Sequence, residues 1–459
     1  MFKYLYKSLY SVMASLRSHL RDRLPSYRFA HRYVRLPRSS FFAARKDDGT
    51  QKPFNLLYKV LKYSLLLIIT VHSTPPVLAQ SDQVPSFEKI TLSSEFTAEG
   101  AAVGDINRDG ISDIIAGPYC YLGPDYQQKQ TYYEPQVFNK REEYSDNFVV
   151  AVEDVNGDDW NDILLIGFPG EAAYWYQNPQ GEAGYWTKHL IHPEVDNESP
   201  TFYDLTSDGQ LELVFHTQGY LGYAQQPEED PTQPWTFHRI SQQWDWQKFT
   251  HGLGLGDVNG DGRTDLIKSE GWWANPGKEN STWHFHEADF GPGGAQMYAY
   301  DVNRDGLNDV ITTLDAHGWG LAWFEQSSSD EGVQFKEHRI MGDSPQNNAY
   351  GVSFSQPHAL KLVDIDQDGI RDLVTGKRVW TRGPQMGWRP DAPAVVYWFK
   401  LEYREEQPHF IPYLIDDDSG VGVDFSVANL NNDPFPDIVT CNKNGAFVML
   451  SKSPLPKVK

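Results

Sequence analysis

Seven nine-residue stretches built on one template, Asp-x-Asn-x-Asp-Gly-x-x-Asp, recur along this chain. They begin at Asp105, Asp154, Asp204, Asp257, Asp301, Asp364 and Asn429, 44 to 65 residues apart. A period of roughly 50 residues is that of a propeller or another repeat array. Each template lies between apolar β-type runs, such as residues 111–116, 163–166 and 310–313. A third run recurs further on at Tyr174-Trp-Tyr176, Trp272-Trp273, Ala322-Trp-Phe324 and Val396-Tyr-Trp-Phe399. A fourth follows at residues 186–191, 235–240, 335–340 and 410–415. Four short strands per repeat is the content of one propeller blade.

The ends of the chain complete the pattern. After the seventh template only two strand-like runs remain, near residues 437–440 and 446–450, so that blade lacks its outer strand. Residues 87–92, ahead of the first template, match the fourth-strand pattern and are expected to supply it, leaving no bare edge. The expectation is therefore an all-β, seven-bladed β-propeller over residues 80–459. With 14% aromatic residues, 37 Gly and 29 Pro among 459 residues, composition also favours strands and turns over long helices.

The template is a set of hard oxygen donors. Side chains at positions 1, 3 and 5 turn toward one point, position 7 offers its carbonyl, and position 9 returns a carboxylate, which suits calcium's six to eight ligands. Gly at position 6 makes the tight turn. The best loops are Asp105, Asn107, Asp109, Asp113; Asp257, Asn259, Asp261, Asp265; Asp301, Asn303, Asp305, Asp309; and Asp364, Asp366, Asp368, Asp372. The loop of Asp154, Asn156, Asp158 and Asp162 has Asp159 in place of glycine. Thr206 and Glu212 weaken the third loop, and Asn429 with Pro434 makes the seventh the emptiest. The alternative is an Asx-turn hairpin that binds no metal. An EF-hand is excluded, since it needs flanking helices and a Glu at position 12.

At these residues the chain resembles the FG-GAP/VCBS repeat family, over about residues 86–450. That resemblance implies the fold of its integrin α-subunit members, a seven-bladed propeller with structural calcium in inter-strand loops. It implies no single activity, because one fold hosts many functions.

The ends of the inner strands away from these loops carry a second constellation. Six residues ahead of each template lie Glu99, Phe148, Glu198, His251, Ala295, His358 and Val423, with Asn147, Gln296 and Asp424 beside them. The second strands return to the same end with His216, Glu270, Asp315, His317, Lys377 and Lys443, and Trp319 follows His317. Imidazoles with carboxylates suit zinc, or magnesium, with a position left for substrate, and Lys or His could act as general base. Trp272, Trp273 and Trp319 could stack on a sugar, although paired tryptophans in a third strand are more often core. The run from His251 to Gly262, followed by Gly271-Trp272, resembles the propeller portion of fungal aldos-2-ulose dehydratases. Carried over, that resemblance implies His251, Asp315, His317 and His358 as metal ligands and dehydration of keto-sugars as the chemistry. The sequence thus supports a carbohydrate- or protein-binding propeller, with a metal-dependent sugar lyase or dehydratase as the alternative.

Charge narrows the partners. Residues 1–79 hold 14 Lys and Arg against 3 Asp and Glu, whereas the rest of the chain carries 59 acidic and 26 basic residues. Such an acidic surface argues against nucleic acid. Cys120 and Cys441 make neither a disulfide scaffold nor a cysteine zinc site, though they could pair across the propeller seam. Lys59 and Lys62 precede the apolar run 65–71, and small residues follow near Ala79, the layout of a cleavable secretory signal. The run is too short to span a bilayer of about 30 Å. The basic stretch upstream puts the expected start nearer residue 57, or else forms a long leader or organelle-type presequence. Secreted or periplasmic protein is expected to begin at Gln80, which N-terminal sequencing checks; a start upstream of residue 65 would contradict it.

Overall fold

The computed structural model describes residues 84–452 apart from 279–280, 330–331, 348 and 381–387. The expected signal segment lies outside these residues, which belong to the second, Ala79–Lys459, of two units in the chain. The unit is an all-β propeller. Its strands form five four-stranded sheets and one eight-stranded sheet. Each four-stranded sheet is antiparallel. In the first, Ala101–Gly104, Asp113–Ala116, Tyr119–Leu122 and Gln128–Thr131 pair in sequence order.

The eight-stranded sheet consists of two such meanders joined through their first strands, Leu253–Gly256 and Gln296–Tyr300, which run parallel with Leu253 opposite Gln296. A glycine permits this approach: a Cβ on Gly254 would lie 2.2 Å from the Met297 carbonyl oxygen. The chain ends meet as the sequence leads one to expect. Ser86–Ser93 pairs antiparallel with Gly445–Lys452, placing Ile90 opposite Val448, so the first strand completes the last sheet.

The core lies between neighbouring sheets. Leu164, Trp175, Phe215 and Ala224 pack together from consecutive sheets, as do Val374, Trp398, Ile438 and Met449. Third-strand tryptophans stack on fourth-strand histidines in several sheets: Trp175 on His189 at 4.4 Å, Trp272 on His286 at 4.1 Å, Trp323 on His338 at 4.3 Å. Trp272 and Trp273 are 3% and 2% exposed. They are core residues, which removes them as sugar platforms. Cys120 and Cys441 are buried free thiols, each packed in a different cluster, so the seam carries no disulfide.

One contact recurs in every template. The ninth side chain is wholly buried in all seven. In six of them it accepts one backbone N–H from template position 2 and another from the end of the third strand of the same sheet. Asp309 takes Val302 N at 2.9 Å and Gln326 N at 2.8 Å. Asp162 takes Val155 N and Asn178 N, and Asp437 takes Leu430 N and Ser451 N. In the third template Glu212 reaches Leu205 N and Thr206 N instead. The ninth residue therefore clasps the loop to its own sheet before any cation is considered.

The loops themselves need left-handed backbone. Position 4 has positive φ in all seven, and position 6 in six, including Asp159 at 65° and Gly306 at 88°. Removing the two charge-assisted hydrogen bonds of Asp309 is expected to cost about 3 kcal/mol or more. Asp309→Ala should lose that stability in urea titrations with or without calcium. Gly306→Ala, whose Cβ would meet nothing within 4 Å, should lose only the roughly 1–2 kcal/mol of a left-handed residue. An Asp309→Ala protein as stable as the wild type would contradict the clasp.

Candidate metal centre

The inner strands begin where neighbouring sheets are stitched together by backbone hydrogen bonds. Glu198 N donates to Thr250 O at 3.0 Å, Gly252 N to Gly294 O at 3.0 Å, Gln356 N to Gly318 O at 2.8 Å, and Val423 N to Glu99 O at 2.7 Å. This belt ties the starts of the inner strands to their neighbours. Glu99, Glu198, His251 and His358 each stand six residues ahead of a template. Equal offset from an equal loop, on strands rigidly tied together, brings side chains from distant repeats to one place.

Three of them, Glu198, His251 and His358, form a cluster with His317. Donor atoms of Glu198, His251, His317 and His358 all lie within 4.8 Å of one another. His251 Nε2 is 3.2 Å from His358 Nε2, and Glu198 Oε2 is 3.4 Å and 3.1 Å from those two nitrogens. The His317 ring stands 4.7 Å from that of His251 and 5.4 Å from that of His358. The His358 side chain is fully buried and that of Glu198 is 7% exposed, while His251 and His317 are partly accessible. The expected open mouth is thus largely filled by its own ligands, with access on the His251 and His317 side.

A buried cation backs the cluster. The Arg378 guanidinium pairs with Glu99, stands 3.2 Å from Glu198 Oε2 and donates to His358 Nε2 at 2.8 Å. Burial and the adjacent Arg378 charge hold the His358 imidazole well below its ordinary pKa, so it is neutral and its Nε2 accepts the Arg378 N–H. Burial alone would lift the Glu198 carboxyl, but the His251 and His358 rings hold it well below the usual carboxylate range.

The remaining sequence candidates divide plainly. Asp315 is not in the cluster: its Oδ1 accepts the N–H groups of His317 and Gly318, at 2.9 Å each, and shapes the turn that presents His317. Glu198 takes the place expected of it. Lys377 donates to Ser355 Oγ at 3.3 Å rather than pointing into the cluster, and burial pushes its ammonium down to about 8. His216 is buried 5.5 Å from the Trp246 ring, Glu270 accepts the Trp246 indole N–H, and Asp424 pairs with Lys361 at 2.7 Å. Glu99 serves as partner to Arg378, Trp319 is half-buried, and Lys443 is buried with its Nζ 4.3 Å from the Tyr144 ring. Arg378 escaped the sequence reading because it lies one residue beyond Lys377, outside the register that located the others.

At the template end the five strongest loops are prefolded by their own side chains. Asp301 accepts from Asp305 N and Gly306 N, and Asn303 Oδ1 also accepts from Asp305 N. The loops starting at Asp105, Asp154 and Asp257 repeat this pattern. The sixth differs: Lys400, from the third strand, places its Nζ against Asp366 Oδ2 and 2.8 Å from Asp368 Oδ2. The matching residue is Leu122, Gln177, Ala274 and Glu325 in the other strong loops. Among the described residues no helix is long and apolar enough to cross a membrane.

Mouse integrin αIIb is 26% identical over 228 residues, covering 39% of this chain and 21% of that protein, so the chain spans about a fifth of that relative's length. Among solved structures, an Agrocybe aegerita lectin that recognises non-reducing terminal N-acetylglucosamine is 14% identical, covering 73% of this chain and 81% of that one at a TM-score of 0.43. The BBS1N chain solved with ARL6DN is 12% identical, covering 82% and 98% at a TM-score of 0.41. Residues 154–215, spanning the second and third templates, match the FG-GAP-like repeat family, and part of the chain is similar to an integrin α subunit.

Proposed function

We propose that this chain is an exported, seven-bladed propeller, stiffened by calcium at its template loops, that binds carbohydrate at a divalent metal centre of Glu198, His251, His317 and His358. The seven-bladed reading counts the eight-stranded sheet as two blades, since its halves are complete meanders whose strand pairing to each other runs only through their first strands. One observation carries the metal centre. Zinc bonds of 2.0–2.1 Å in tetrahedral geometry separate neighbouring donors by about 3.3 Å. The three edges among Glu198, His251 and His358 are 3.4, 3.1 and 3.2 Å. Hydrogen-bonded polar atoms share that spacing; what favours a metal is that three imidazoles and one carboxylate bring four donor atoms within 4.8 Å of one another.

A metal held there would act as a Lewis acid toward a ligand oxygen. The chain's own groups do the rest. Asp315 orients His317 through the turn, Arg378 stabilises ionised Glu198, and burial keeps bulk water from the His358 side. Partial exposure of His251 and His317 leaves a side from which a sugar hydroxyl or carbonyl can approach. That access is what favours the second reading, a metal-dependent sugar lyase or dehydratase. Lys377 is not the base in that reading, being turned to Ser355.

The metal reading is checked by zinc content. Full-length protein equilibrated with zinc and desalted is expected to retain one zinc per chain. His251→Ala and His317→Ala should each lose it, and Asp315→Asn should keep most of it. Equal zinc in wild type and a His251→Ala/His358→Ala double variant would sink the centre.

For calcium, the loops at Asp105, Asp154, Asp257 and Asp301 are proposed to bind, and the loop at Asp364 to hold the Lys400 ammonium in place of an ion. Calcium at a hundredfold its Kd should stabilise the fold by about 2.7 kcal/mol per site. Lys400→Met is expected to bind one more calcium than wild type in equilibrium dialysis. No change in stoichiometry would contradict the lysine's role, and no calcium-dependent rise in Tm would contradict the loops.

A further inference from the structure

Two buried side chains beside the centre are left incompletely paired. Arg378 and Glu99 are each 1% exposed, and Arg378 Nη2 donates to Glu99 Oε2. Among the described residues, Arg378 Nε and Glu99 Oε1 are buried with no hydrogen-bond partner. Buried polar atoms are rarely left so. A guanidinium and a carboxylate in contact commonly close a fork of two parallel N–H···O bonds. Here one prong is made, while the donor and acceptor for the second sit on the same two side chains.

The other end of the guanidinium holds the fork open. Arg378 Nη1 donates to His358 Nε2 at 2.8 Å and to Glu198 Oε2 at 3.2 Å. These two acceptor atoms stand 3.1 Å apart and form one edge of the cluster. A neutral imidazole nitrogen that accepts a hydrogen bond does so through a single in-plane lone pair. The Arg378 N–H takes up that of His358 Nε2, so a metal ion cannot use this atom while the hydrogen bond stands. A divalent ion would also repel the permanently charged guanidinium in so buried a place.

From this we infer that Arg378 is a two-position positioning residue that competes with the metal for the centre. Without metal, its Nη1 caps His358 and Glu198. When a divalent ion binds, Nη1 gives up His358, and the guanidinium turns until its Nε–H meets Glu99 Oε1 and the fork closes. The rings of Phe148 and Tyr144, centred 5.6 Å and 6.0 Å from the guanidinium carbon, offer flat faces along which it can turn. The two atoms orphaned in the first arrangement are thereby paired in the second. The inference rests on the metal-centre reading above. It gives Glu99 a part in metal affinity without placing it among the ligands.

The test measures the zinc affinity of the full-length protein by competition with a chromophoric chelator, with melting midpoints recorded on every sample. An Arg378→Met/Glu99→Met double variant removes the competitor together with its counter-charge. It is expected to bind zinc at least about tenfold more tightly than wild type, because no share of the protein is then held in the capped arrangement. Glu99→Gln, whose amide cannot accept both prongs, should bind zinc about tenfold more weakly than wild type. An arginine that merely braced the ligands would make the double variant bind more weakly. A second readout needs no double variant to fold. In wild type with isotope-labelled arginine, the Arg378 Nε–H resonance, assigned by its loss in Arg378→Lys, should move downfield on zinc addition, and this shift should be absent in Glu99→Gln. Three results each overturn the inference and leave the centre standing: an Nε–H that does not move as wild type takes up zinc, a Glu99→Gln protein with wild-type affinity, or a folded double variant that binds no tighter. A wild type that takes up no zinc overturns the centre and this inference with it.

Discussion

The buried ninth carboxylate of the template is the interaction on which the rest depends. An acidic side chain that is wholly removed from water is tolerated only when its oxygens are hydrogen-bonded. Here two backbone N–H groups, one from the loop and one from the third strand, supply those bonds. The same contact fixes where the loop ends, the register of the second strand and the position of the third. Because the bond to the loop recurs in all seven templates and the bond to the third strand in six, Glu212 accepting from Leu205 N and Thr206 N instead, successive repeats are copies in geometry as well as in sequence. A residue at a constant offset from the loop then lands at a constant place on the inner strand.

The centre is a consequence of that regularity. Glu99, Glu198, His251 and His358 occupy one register position in four repeats, and a closed ring aims equivalent positions toward a common axis. No two of Glu198, His251, His317 and His358 are near in sequence, and none sits in a local motif. Their convergence follows from symmetry of the scaffold, broken by choosing different side chains at one equivalent site. His317 joins from a second-strand loop, where Asp315 holds the turn. The two ends of the propeller thus divide the labour: carboxylate-rich loops fix the frame at one, and imidazoles with buried cations gather at the other.

Much of this was legible in the sequence because the repeat is strong. The template spacing located the second strands, the Trp-bearing third strands and the terminal strand Ser86–Ser93 that completes the last sheet. The offset of six marked three of the four residues that cluster. What was not legible follows from contacts between elements that periodicity does not report. Asp315 looked like a ligand because it neighbours His317, yet a side chain two residues ahead of its partner readily turns back to cap the backbone. Lys400 lies 28 residues beyond the sixth template's end, so nothing local announces that its ammonium fills that loop. Trp272 and Trp273 carry identical sequence signals whether they face a ligand or a histidine in the next strand; only packing distinguishes the two. The pairing of Leu253–Gly256 with Gln296–Tyr300, which merges two meanders into one sheet, depends on the missing Cβ atoms of Gly254 and Gly256.

The most direct measurement of the central claim is anomalous diffraction at the zinc edge from crystals of the full-length protein grown with zinc. The account expects one strong peak between Glu198, His251, His317 and His358, with the Arg378 guanidinium drawn back from His358 Nε2. An empty cluster with Arg378 still donating to His358, in crystals that hold zinc elsewhere, would contradict it.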